Sequence, residues 1–147
     1  MHSKWAKKVG IDKFIAEFVD RNIDYGSSWA FTKNKNDFSV KEYESPIAKQ
    51  LNFFYQKDLE EKHDPNSYVK AYYLHHLLDY FRETRVNIND IDLVFEKFLQ
   101  NKVIIEFTDS DGNEINYREV IEELFKLLKD NKKELYEDLK GKYLVDL

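Results

Sequence analysis

The chain has no cysteine, one methionine, two prolines and four glycines among its 147 residues. Without cysteine there is no disulfide, no thiolate nucleophile and no cysteine-based zinc site. The glycines, Gly10, Gly26, Gly112 and Gly141, are too scattered to form a phosphate-cradling loop. No apolar run approaches the roughly 18 residues that a membrane span requires. The opening MHSKWAKKVGIDKF is too polar for a secretory signal. An excess of positive charge is also missing: 23 Lys and Arg stand against 28 Asp and Glu, a net charge of −5. Proteins that live on nucleic-acid phosphate usually carry the opposite balance. These absences lead to the expectation of a cytoplasmic chain with no cofactor, no metal and no membrane partner.

Bulky apolar side chains are plentiful. Hydrophobic residues make up 42% of the chain and aromatics 16%, including eleven Phe and ten Tyr. A chain of this size is expected to form one domain over 1–147, burying roughly 68–70% of the surface its unfolded form exposes. The richness in Lys, Asn, Ile, Tyr and Phe suits an AT-rich coding sequence, of the kind found in some bacteria and phages.

Periodicity divides the chain. A basic lead containing Trp5 ends at Gly10. Asp12 then caps a helix over about 11–22, with Phe14, Ile15, Phe18 and Val19 as its stripe. Residues 24–44 lack either period and read as an irregular segment. Ser45-Pro46 starts the next helix, carrying Ile47, Leu51, Phe54 and Tyr55 to about Lys62. Ser67 can cap a helix over 68–83 with two apolar stripes, which predicts the central helix of the fold. Asn89 or Asp90 caps another, with Ile91, Val94, Phe95, Phe98 and Leu99. The stretch KVIIEFTDSDGNEIN then reads as a hairpin near 103–117. Asn116 and Glu119, at capping-box spacing, open a long last helix through Leu139. The expected class is mostly α (α+β): a compact helical domain of about five helices with one hairpin.

Few side chains sit in patterns that carry chemistry. TDSDGNEINYREV fails as a calcium loop in either register, because a glycine at position six puts Phe107 in the first ligand position. His63-Asp64 and His75-His76, with Asp79 following, suggest the histidine and aspartate set of HD-type metal hydrolases. The only upstream histidine is His2, in a lead expected to fray. His75 and His76 are sequence neighbours and point about 100° apart on a helix, so sharing one ion is difficult. His76 is expected to pack near Tyr73 and Tyr80, with His75 facing solvent or a polar partner.

Two family resemblances arise. Residues 25–31, Tyr-Gly-Ser-Ser-Trp-Ala-Phe, resemble the Cys-Gly-Ser-Cys-Trp-Ala-Phe signature of papain-like cysteine proteases. The TKNKNDF that follows is too polar for that family's buried helix, and no histidine stands at the family's spacing, so the match reads as coincidence. INDIDLVFEKFLQNKVIIEFTDSDGNEINY is similar to the recognition helix, strand, wing tip and return strand of winged helix-turn-helix domains. That resemblance implies a winged helix over about 68–139, in a degenerate form. Residues 87–117 hold seven acids (Asp90, Asp92, Glu96, Glu106, Asp109, Asp111 and Glu114) against Lys97 and Lys102, leaving −5 where a DNA groove would be met.

The resulting expectation is a non-enzymatic interaction or regulatory protein, such as a phage or mobile-element inhibitor docking on the basic cleft of a nucleic-acid enzyme. Its candidate binding residues are Trp29, Phe31, Lys33, Lys35, Asp90, Asp92, Glu96, Asp109 and Asp111. The partner is expected to be a protein in preference to nucleic acid, with homodimerisation through the C-terminal helix as a further option. The alternatives are a winged-helix DNA-binding regulator and an HD-like metal hydrolase.

Overall fold

A computed structural model of the chain describes residues 2–23, 46–61, 66–84, 90–100, 105–109 and 111–146. Among these the elements are α1 (His2–Lys8), α2 (Lys13–Ile23), α3 (Pro46–Glu60), α4 (Ser67–Thr84), α5 (Ile91–Gln100), β1 (Glu106–Thr108), β2 (Glu114–Asn116), α6 (Arg118–Asp130) and α7 (Lys132–Asp146). The described residues are mostly helical with a single antiparallel hairpin, as the periodicity predicts. No described helix is long and apolar enough to cross a membrane.

Helix α4 is central. Val69, Ala71, Tyr72, Tyr73, Leu74, Leu77, Leu78 and Phe81 are all buried, so nearly its whole circumference is covered. Helices α1, α2, α3, α6 and α7 pack around it. Its start is held from α3: both carboxylate oxygens of Asp58 accept backbone N–H groups, from Tyr68 at 2.8 Å and Val69 at 3.2 Å. Those are donors that the first helical turn cannot satisfy within itself. The cap expected of Ser67 thus comes from a residue on another helix.

The basic lead does not fray. It forms α1, with Trp5 fully buried and its indole nitrogen donating to Asp138 of α7 at 2.9 Å. Lys4 and Lys8 add ion pairs to Glu134, and Lys4 reaches Asp138 at 2.8 Å. Gly10, at φ +81°, makes the turn into α2, a backbone region that glycine enters without strain. Asp12 Oδ1 accepts the Phe14 N–H at 2.8 Å, the expected cap. The buried side of α2 is Ala16, Val19 and Ile23, however, and Phe14 is 79% exposed. Of the expected stripe, Val19 is buried and Ile15 and Phe18 pack partly buried against the core, so Phe14 alone departs from it.

The long last helix is broken in two. Asn131 leaves helical geometry at φ −119° and ψ 28°, its N–H donating to Leu128 O and its side-chain amide to Leu127 O. An asparagine that bonds nearby carbonyls competes with the helix ladder, and here it ends α6. With α1 and this break, the described residues hold seven helices against the expected five.

Candidate functional site

Two groups of polar residues stand out: the outer face of the hairpin and a histidine–aspartate centre beneath α1. The hairpin pairs Glu106 with Asn116, Phe107 with Ile115 and Thr108 with Glu114. Alternation turns Phe107 inward, against Tyr117 and Tyr55 with ring centroids 5.8 and 5.7 Å away. Glu106, Thr108, Glu114 and Asn116 share the other face. They border a recess of about 240 Å³, together with Phe107 and Ile115. Glu106 and Glu114 are diagonal neighbours across the two strands, a placement that separates such positions by roughly 7 Å. Both are exposed, as is Asp111 at the tip, and residues 105–117 contain no Lys or Arg.

Asp109, one of the candidate binding residues, bonds the hairpin turn. Its Oδ1 accepts the N–H groups of Asp111 and Asn113 at 3.0 and 2.8 Å, and its Oδ2 accepts the Asn113 amide at 3.2 Å. These bonds hold its carboxyl below the usual range, with the Asn113 backbone N–H contributing most. The carboxylate is spent on shaping the turn. Just before and on α5, Asp90, Asp92 and Glu96 are exposed, with Asp92 paired to Lys132 at 3.3 Å. Trp29, Phe31, Lys33 and Lys35 lie outside the described residues, as do His63 and Asp64.

The second group joins three helices. His75 and Asp79, one turn apart on α4, bring Nε2 and Oδ2 to 3.2 Å. His75 Nδ1 meets Asp20 Oδ1 of α2 at 2.8 Å. His2 of α1 stacks on the His75 ring, with centroids 4.5 Å apart and planes tilted by 20°, and its Nε2 stands 3.1 Å from Asp79 Oδ1. Arg82 also approaches that oxygen, at 3.3 Å. His75 and Asp79 are each only 6% exposed.

Burial favours the neutral forms of His75 and Asp79, yet charge pairing outweighs it at both. Burial pulls His75 down, but the bond to Asp20 and the contacts with Asp79 more than reverse this and hold it at about 9. Burial would raise the Asp79 carboxyl; the approach of His2 and His75 instead keeps it well below the ordinary carboxylate range. His76 is different. Fully enclosed against the Tyr72 ring at 4.6 Å, it is held well below an ordinary histidine by desolvation.

One donor atom from each of His2, His75 and Asp79 lies within 4.8 Å of the other two, the one such group of possible metal ligands among the described residues. Neither His2 nor Asp20 was a candidate from sequence. The i,i+4 pair His75 and Asp79 was visible there, but nothing local ties it to residues 55 and 73 positions upstream. Comparison with family models, with curated proteins and with solved structures finds no match for this chain.

Proposed function

We propose that the protein is a non-enzymatic regulator that docks on another protein, presenting the hairpin to a basic surface shaped for nucleic-acid phosphate. The observation that carries this reading is the outer hairpin face. Glu106 and Glu114 project from a rigid two-stranded element, Asp111 extends the row, and no cation in the segment neutralises them. Carboxylates fixed at such spacing can occupy positions that phosphates take in a basic cleft. The same row repels DNA, which weighs against a winged-helix regulator reading a groove with this element. The shallow recess beside the row would let an arginine or lysine stem lie along the strands.

The test is capture from a host lysate with wild-type protein and with the double variant Glu106→Lys, Glu114→Lys. The expected result is a nucleic-acid-binding protein retained at low salt, displaced by heparin and lost with the double variant. Retention unchanged by the charge reversal, or duplex DNA bound in place of protein, would defeat the proposal.

A further inference from the structure

The contact between His2 Nε2 and Asp79 Oδ1 is close but badly aimed. The atoms are 3.1 Å apart, yet neither makes a hydrogen bond within the described residues, and both are shielded from solvent. A buried donor and acceptor at that distance ordinarily align; here Oδ1 has the ion-pair approach of Arg82 at 3.3 Å but no aligned hydrogen bond, and His2 Nε2 has none. Ligands of a common ion behave otherwise. Each aims its lone pair at the ion, so neighbouring ligands come close without pointing at one another. Around a tetrahedral zinc with bonds of 2.0–2.1 Å, adjacent ligand atoms are roughly 3.3–3.4 Å apart. The His2 contact, 3.1 Å from Asp79 Oδ1, lies near that spacing, and His75 Nε2 stands 3.2 Å from the other carboxylate oxygen, Oδ2.

The surroundings have the organisation of a metal centre. Asp20 occupies His75 Nδ1 at 2.8 Å, which fixes the ring and leaves Nε2 facing Asp79. A carboxylate on the far nitrogen of a ligating histidine orients the ring and makes it a stronger base. Arg82, at 3.3 Å from Asp79 Oδ1 and 29% exposed, can serve the ligating carboxylate in the same supporting way. His76, one residue from His75, is turned to Tyr72 and takes no part. Two imidazoles and one carboxylate suit the borderline cations of the first transition row, zinc foremost, and leave a fourth position for water.

From this geometry we infer that His2, His75 and Asp79 bind one divalent transition-metal ion, with Asp20 as the positioning residue for His75. This goes beyond the docking reading and stands independently of it. The test uses untagged full-length protein, stripped with chelator and titrated with Co²⁺ and then Zn²⁺. The expected result is one ion per chain, a tetrahedral Co²⁺ absorption spectrum and a higher melting temperature with Zn²⁺. His2→Gln and Asp79→Asn should each lose at least about 100-fold in affinity, and Asp20→Asn about 10- to 100-fold. If Asp79→Asn does not fold, His2→Gln decides, since the His2 side chain is 24% exposed and its replacement leaves the core intact. No saturable binding at one equivalent, or binding unchanged in His2→Gln, would overturn the assignment.

Discussion

Asp58 is expected to make the protein less stable as pH rises from about 4 to about 6. Its side chain is buried, with Asp58 only 7% exposed, and it holds the first turn of α4 through Tyr68 and Val69. Burial raises its pKa to about 6, against the opposing pull of the two N–H bonds. An acid with a folded pKa above its unfolded value binds its proton more tightly in the native state. Stability is then unaffected below about pH 4, falls through the window between the two values, and is flat above it. A shift of about two units corresponds to about 3 kcal/mol. Asp58→Asn removes the titration while keeping one acceptor oxygen for the α4 donors. The measurement is urea unfolding followed by circular dichroism at several pH values for both proteins. The stability difference should move by about 3 kcal/mol in favour of Asn between pH 4 and pH 7. A flat difference would refute the reasoning and mean that the two N–H bonds fully compensate the buried charge. Asp58→Ala, which leaves both donors without their acceptor, should be about 2 kcal/mol less stable than Asp58→Asn at any pH.

Other perturbations separate buried anchors from surface decoration. Trp5→Ala should cost about 3–5 kcal/mol in denaturant unfolding, since it empties a fully buried site and removes the indole bond to Asp138. Glu134→Ala, which removes the exposed pairs to Lys4 and Lys8, should leave the melting temperature close to wild type. Gly112→Ala should cost about 1 kcal/mol: φ is +85° but nothing lies within 4 Å of an added Cβ, so only backbone strain is tested. A cost well above that would mean the turn cannot keep its conformation without glycine.

The parts of this fold legible in sequence are those fixed by local period. The two stripes of α4, the apolar positions of α3 and α5, and the strand–turn–strand at Asp111-Gly112 all appear where alternation and capping place them. What escaped is set by distant partners. Helix α1 is seven residues long, too short to be stable without tertiary support, and it exists because Trp5 is buried where α1 packs on α2 and α4, with its indole bonded to α7. Phe14 looks like a core residue by spacing, but it stands at the edge of the stripe formed by Ile15, Phe18 and Val19 and is left exposed. The break at Asn131 depends on side-chain bonds that no hydrophobic pattern encodes. His2 looked idle for the same reason as α1, because only the folded chain brings it over His75.

The bond between Trp5 and Asp138 spans 133 residues, so it closes almost the whole chain into one loop. Closing a loop that long is entropically costly, and the cost is met before the contact returns anything. During synthesis Trp5 leaves the ribosome 133 residues ahead of Asp138, so its indole N–H has no such acceptor until α7 follows. The seam between α1 and α7 should therefore form last in folding and open first in unfolding. His2 shares α1 with Trp5, so loss of that seam would loosen one of the three metal ligands proposed here.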